Sequence, residues 1–237
     1  MQQQLSGNPL FDPRIQKAKQ ANHQLFAIPE AWINVGNIER ALAQGEIKHD
    51  FFMSKVQQEK YPQALSANYT KAAVLVPIIQ KNHQLELLLT QRSLLLEKHR
   101  GQISFPGGKQ DIEDKNLEET ALRETFEEIG ITASHIHVMG QLPSVITGTG
   151  FSVMPFVAIV DERYTLSINR EEVEMVFSVP LHFLLNPDNH YIHEVEIGHN
   201  LQRHYFSMTW QNHFIWGITA MIIRQFYLQC EMLYRSA

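Results

Sequence analysis

One short segment constrains this chain more than any other. From Asn116 to Ile129, the apolar residues Leu117, Ala121, Leu122 and Phe126 recur at helical spacing, and Gly130 supplies a C-terminal stop. The same segment reads Arg123-Glu124-Thr125-Phe126-Glu127-Glu128-Ile129-Gly130. Residues three and four apart share a helix face, so Glu124, Glu127 and Glu128 converge on one side. Leu122 and Phe126, on adjoining positions, are expected to face the core, which leaves the carboxylates at the rim of the packed domain. There they repel one another, and the helix dipole disfavours anions near its C-terminal end. A solvated acidic face is one answer to this arrangement; a bound cation is the other. Two neighbours favour the cation. Gly107-Gly108 lies one loop upstream and lets backbone N–H groups approach an anion, and Arg123 can pair with a carboxylate and hold it in one rotamer. Mg²⁺ suits such a place, because it takes oxygen ligands and favours carboxylates together with substrate phosphates.

The charge distribution points to the same place. The chain has 237 residues and a net charge of −5. Residues 109 to 128 hold eight acidic and three basic side chains, so the whole excess sits in that segment. An acidic chain gives no electrostatic case for a nucleic-acid partner. With 44% hydrophobic and 19% charged residues, there is material for a sizeable core. A single cysteine, Cys230, excludes an internal disulfide framework and points to a reducing compartment. Met1 to Leu10 has neither the basic nor the apolar region of a secretory signal. The longest nearly apolar stretch, Phe214 to Ile223, falls short of the roughly 20 residues that span a bilayer. The expectation is a soluble, cytoplasmic protein with no membrane partner.

Residues 1–68 are expected to form an N-terminal extension, mainly helical and packed on the main domain. Ile38 to Leu42 suggests one short helix, and Asp50 caps a second that includes Phe51, Phe52 and Val56. Residues 69–237 then form the main domain. Ala72 to Ile79 is a continuous apolar run that reads as a buried strand, Lys81-Asn82-His83-Gln84 as a turn, and Leu85 to Thr90 as the second arm of a hairpin. Further strands are expected at Ile136–Leu142, Phe151–Val160, Val173–Val179 and His204–Met208, and a closing helix at Trp216–Tyr234. This order predicts an α/β or α+β fold with a mixed sheet. The histidine pairs His135/His137 and His190/His193 come without cysteine partners or a His-Glu-x-x-His pattern, so a transition-metal site is not expected. Cys230, Trp216 and Phe226 are expected to be packing residues.

Gly108 to Ile131 resembles the Nudix box, whose usual form is G-x5-E-x7-R-E-U-x-E-E-x-G-U, with U a bulky aliphatic residue. Arg123, Glu124, Glu127, Glu128, Gly130 and Ile131 match it in spacing. Asp114 stands where the first Glu is usual, eight residues rather than seven separate it from Arg123, and Thr125 occupies the first U position. The resemblance implies a Nudix fold, a mixed β-sheet sandwiched between α-helices. It also implies hydrolysis of a nucleoside diphosphate derivative. Glu124, Glu127 and Glu128 would hold Mg²⁺ or Mn²⁺. Glu124, Arg123 and Glu127 would form the catalytic set, with Arg123 orienting a carboxylate and Glu124 favoured as general base. Glu172 or Glu174 is the competing base.

The segment before the box resembles the coenzyme A pyrophosphatase branch of that family, which reads approximately L-L-T-x-R-S and then H-x-G-Q-V-x-F-P-G-G. This chain has Leu88-Leu89-Thr90-Gln91-Arg92-Ser93 and, further on, His99-Arg100-Gly101-Gln102-Ile103-Ser104-Phe105-Pro106-Gly107-Gly108. Glu97 replaces a basic residue common in that branch. The resemblance extends over about residues 70 to 228 and implies cleavage of coenzyme A to 3′,5′-ADP and 4′-phosphopantetheine. The implied substrate contacts are Arg92, Lys98, His99, Arg100, Gly107 and Gly108. A structural ion pair is the equal alternative for Arg92, and a satisfied strand polar group is the alternative for Gln102 and Ser104. A diphosphatase for ADP-ribose or a related nucleotide, and a non-catalytic nucleotide sensor, are the rival functions. The sequence leaves the oligomeric state open, a homodimer being one option.

Overall fold

A computed structural model describes residues 12–44, 69–197 and 201–236. The first elements are β1 (Ala18–Gln20), α1 (Val35–Leu42), β2 (Thr70–Lys81), β3 (Gln84–Arg92), β4 (Ile103–Ser104) and β5 (Gly107–Lys109). Then come α2 (Leu117–Ile129), β6 (Ile136–Gln141), β7 (Val145–Ile146), β8 (Phe151–Val160), β9 (Val173–Pro180) and α3 (Leu181–Leu184). Last are β10 (Tyr191–Ile197), β11 (Leu201–Trp210), β12 (His213–Trp216) and α4 (Ile218–Ser236).

The β2–β3 hairpin turns through Asn82 and His83, whose φ of 49° and 63° suit the tight turns that match strand twist. Pairing holds only at the turn end, from Ile78 opposite Leu87 to Lys81 opposite Gln84. Beyond it the hairpin forks. β4 takes the freed edge of β3, at Thr90 and Gln91, and β5 takes the freed edge of β2, at Ala72 to Val74. β8 runs parallel to β2 on its other edge, while β6 and β7 pair antiparallel with β8. β9 lines the outer edge of β3. The sheet is mixed, as expected.

Side chains alternate across this sheet. On one face, Ala73, Leu75, Ile79 and Leu88 pack against Ala121 and Ile129 of α2. On the other, Val76, Ile78, Leu87 and Leu89 share a cluster with Met221, Ile222 and Phe226 of α4. A second, antiparallel sheet, β1-β10-β11-β12, contributes Ile192, Phe206, Met208 and Ile215 to that cluster. Helix α4 is therefore buried on every side from Thr219 to Glu231. Its buried Arg224 donates to His190 Nδ1 at 2.9 Å, and His190 Nε2 donates to the Leu184 carbonyl at 2.7 Å.

The described N-terminal residues join the same core. Ala21, Ile28, Ile38 and Ala41 are buried in it. Tyr205 Oη donates to the Pro13 carbonyl (2.7 Å), Tyr227 Oη to Phe26 (2.8 Å) and Gln229 Nε2 to Ala41 (2.6 Å). The helix read at Ile38–Leu42 lies within α1, capped by Asn34. A strand and a 3₁₀ turn at Glu30–Trp32 accompany it. The second helix, at Asp50 to Val56, lies outside the described residues.

Most expected strands stand where the pattern placed them. Tyr191–Ile197 forms a strand that the hydrophobic pattern does not show, because His193 is buried beside Ile192 and breaks the simple alternation. The larger correction concerns α2. Phe126, expected in the core, is 54% exposed, whereas Thr125 is fully buried and returns its hydroxyl to the Ala121 carbonyl at 2.6 Å. The buried face of the helix runs through Thr120, Ala121, Thr125, Glu128 and Ile129, so Glu128 lies within the packed face instead of at the rim. No described helix is long and apolar enough to cross a membrane.

Candidate active site

Helix α2 is capped at both ends. The Asn116 side chain accepts from Glu119 N–H at 2.9 Å, and Lys115 N–H donates to Glu119 Oε2 at 2.9 Å. Gly130, at φ 78°, closes the last turn on the Phe126 carbonyl. Between these caps, Arg123 organises the acidic segment. Its Nε and Nη2 bind Asp114 in fork geometry at 2.9 and 3.0 Å. Nη1 reaches Glu127 at 2.8 Å, and Nη2 reaches Glu124 at 3.0 Å and the Lys109 carbonyl at 3.2 Å. Asp114 also accepts from Thr120 Oγ1 and from Asp111 N–H, each at 2.9 Å. Its hydrogen bonds to Arg123 are the chief reason its carboxyl is held down to about 2. Asp114 thus pairs with the box arginine despite its shorter side chain and the longer loop.

The three glutamates occupy different settings. Glu127 is half exposed and paired with Arg123. Glu124 is 16% exposed, with its carboxylate against Gly108: a Cβ there would lie 2.5 Å from Glu124 Cδ. Burial raises the Glu124 pKa, opposed by Arg123 and reinforced by Glu127 and Glu172. Glu128 is 3% exposed, and its Oε2 has no hydrogen-bond partner. Burial pushes its carboxyl up to about 8, against the pull of Arg92, whose Nη1 lies 4.0 Å from Oε1. Glu124 and Glu172 push it the same way as burial, while the Gly107 N–H favours the charged form. Gly107 belongs to the close approach of β5 to β2, where a Cβ would meet the Ala73 carbonyl at 2.3 Å.

The structure therefore brings Glu124 and Glu128 together and leaves Glu127 on the rim with Arg123. Among the described residues, no group of three or more His, Cys, Asp or Glu side chains stands ready to hold a metal ion. The donor set nevertheless fits a hard divalent cation in kind. Its members are carboxylates from successive turns, one with a buried oxygen that nothing satisfies. Glu172, half buried ahead of β9, acts electrostatically on Glu124 and Glu128, whereas Glu174 is exposed. Of the two later carboxylates, only Glu172 faces the cluster. Nothing in its local sequence separates it from Glu174; the chain entering β9 does.

Arg92 is the substrate candidate that meets the cluster, and its buried Nε has no hydrogen-bond partner. Arg100 is partly buried, and its Nε likewise has none. Lys98 and His99 are exposed on the loop between β3 and β4. Gln102 and Ser104 are satisfied locally. Gln102 Oε1 meets His99 Nδ1 at 3.0 Å, and Ser104 Oγ meets Thr90 Oγ1 at 3.1 Å. In the second sheet, His193 bridges Ser207 and the Gln16 carbonyl. Cys230 and Phe226 are fully buried.

The forked mixed sheet, the α2 helix behind it and the Arg-Glu-x-x-Glu-Glu-x-Gly run agree with a family assignment. The NUDIX domain model matches residues 69–203, and the chain belongs to the Nudix family. It is a Nudix hydrolase, a pyrophosphatase acting on the diphosphate of a nucleoside diphosphate derivative. Enzymes of this family generally use divalent metal cations. The chain is 45% identical over 175 residues to the uncharacterized Nudix hydrolase NudL of Yersinia enterocolitica serotype O:8, covering 73% of this chain and 89% of that one. It is 43% identical over 160 residues to NudL of Yersinia pestis (strain Pestoides F), covering 67% and 79%. Among solved structures, it is similar to the MutT protein from Methanosarcina mazei Go1. That match has TM-score 0.42 and 22% identity, covering 73% of this chain and 98% of the other.

Proposed function

We propose that the protein hydrolyses the diphosphate of coenzyme A, or of a derivative, to 3′,5′-ADP and 4′-phosphopantetheine. The observation that carries this reading is the meeting of two segments. Arg92, from the run that resembles the coenzyme A branch, faces Glu128 of the box, and the Nε atoms of Arg92 and Arg100 are both buried without acceptors. Buried guanidinium donors left unpaired are costly unless an anion completes them. The diphosphate and the 3′-phosphate of coenzyme A are such anions.

Glu124, Glu127 and Glu128 would hold Mg²⁺ or Mn²⁺, which when bound lowers the pKa of water and neutralises phosphate charge. The protein's own contributions are separable. Arg123 fixes the rotamers of Glu124 and Glu127. Gly108 leaves room for the Glu124 carboxylate at the strand edge. Glu124, with its raised pKa, takes the proton from the attacking water, and Glu172, whose charge acts on Glu124, is the competing base. The water oxygen bonds to one phosphorus, the bridging P–O bond breaks, and two phosphate monoesters leave.

The test incubates the purified chain with coenzyme A and with ADP-ribose, each with Mg²⁺ or Mn²⁺, and reads the products by mass spectrometry. Release of 3′,5′-ADP and 4′-phosphopantetheine is expected. Fast cleavage of ADP-ribose with coenzyme A left intact overturns the substrate and leaves the reaction class standing.

A further inference from the structure

The loop between β3 and β4 carries a feature that phosphate binding does not use. Its two ends are clamped to each other: Arg92 N–H donates to the Gln102 carbonyl at 2.9 Å, and Gly101 N–H to the Arg92 carbonyl at 3.0 Å. Its outgoing limb is tied to the site, with Ser93 N–H on the Glu172 carbonyl at 2.8 Å. Ser93 then turns the chain sharply, its Oγ accepting from Leu95 N–H at 3.3 Å. This local turn presents Leu94 at 47% and Leu95 at 81% exposure, while Ser93 itself is buried. The returning limb carries Lys98, His99 and Arg100.

Single exposed leucines are ordinary on protein surfaces. Two adjacent ones, held out by a fixed turn beside a carboxylate cluster and opposite a cationic limb, are less so. Leu94 is two residues from Arg92, at most about 7 Å along the chain. An occupant of matching chemistry has phosphates with an apolar group close beside them. The pantoyl unit of coenzyme A is built this way: one methylene separates its gem-dimethyl carbon from the phosphate ester oxygen. ADP-ribose has a hydroxylated sugar at the equivalent place.

We propose that Leu94 and Leu95 pack the gem-dimethyl group of the pantoyl unit, and so select pantetheine-bearing diphosphates over sugar-bearing ones. The inference rests on the coenzyme A reading and assigns its discrimination to two residues outside the box. Apolar pockets separate substrates differing by a methylene or two by roughly 10- to 200-fold.

The test measures kcat/KM of the full chain for coenzyme A and for ADP-ribose with Mn²⁺. It compares the parent with Leu94→Ser/Leu95→Ser and with Leu94→Met/Leu95→Met. The coenzyme A to ADP-ribose ratio is expected to fall about tenfold in the serine variant, mainly through KM for coenzyme A, and to return in the methionine variant. A ratio that stays constant, or both substrates weakening together, overturns the proposal. So does a change in sedimentation with the ratio intact, which would make the leucines a self-association surface. If the parent cleaves ADP-ribose and no form of coenzyme A, the functional reading falls as well. If it cleaves coenzyme A and the ratio does not respond, only this inference falls.

Discussion

Glu128 folds with one carboxylate oxygen that nothing satisfies. Burial holds its pKa at about 8, above the ordinary 4.5. The metal-free folded protein therefore keeps a proton that the unfolded chain releases, and stability is lost as pH rises from 4.5 towards 8, by up to about 1.4 kcal/mol per unit. Glu128→Gln removes that dependence. In chelator, urea unfolding at pH 5, 6.5 and 8 is expected to show the variant gaining on the parent as pH rises; parallel curves would refute the buried-carboxyl account. Mn²⁺ is expected to raise the parent's midpoint at pH 8 and to leave that of Glu128→Gln nearly unmoved. The sequence showed the three glutamates, Arg123 and their spacing. It did not show that Glu128 is buried while Glu127 is half exposed. That difference depends on Thr125 rather than Phe126 facing the sheet, and the hydrophobic pattern of the helix argues the other way.

At the scale of elements, the site exists because the β2–β3 hairpin forks and the chain 103–109 fills the opening. The hairpin, its turn and the Gly pair were legible, since an apolar run, a polar break and a Pro-Gly-Gly stretch each have a local cause. The fork was not, because pairing partners distant in sequence leave no local signal. Two adjacent glycines now differ in kind. Gly107→Ala places a Cβ on the Ala73 carbonyl, at a φ of +150°, and is expected to cost at least about 2 kcal/mol of stability by thermal unfolding. Gly108→Ala meets only the far end of Glu124. It is expected to keep the unfolding midpoint within about 1 kcal/mol and to lower kcat by roughly 100-fold, through displacement of that carboxylate. Equal effects on stability would show that Gly108 serves the strand rather than the glutamate.

For the whole molecule, the hydrophobic cluster around α4 draws on both sheets and on residues 21, 28, 38 and 41. A chain beginning at residue 69 would leave that helix uncovered on one side and its Gln229 amide without the Ala41 carbonyl. Such a chain is expected to lack a cooperative urea transition and to bind a hydrophobic dye, whereas the full chain is expected to unfold in one step. A cooperative transition in the shortened chain would show that the extension is an ornament. The sequence revealed α4 by its apolar content, but gave little hint of the second sheet. The strands of that sheet bury His193 and Ser207 among apolar residues, where the two meet each other and His193 also meets the distant Gln16 carbonyl.

Helix α2 has a consequence for anyone who would improve this protein. A redesign guided by stability would find Thr125 beneath the sheet and Phe126 in water, and would correct both by exchanging polar for apolar. The redesigned helix would keep the face it already buries, with position 125 beneath the sheet and position 126 in water. Glu128 would stay buried on that face, its Oε2 still without a partner. Stability gained at those two positions would therefore leave the carboxylates where they are.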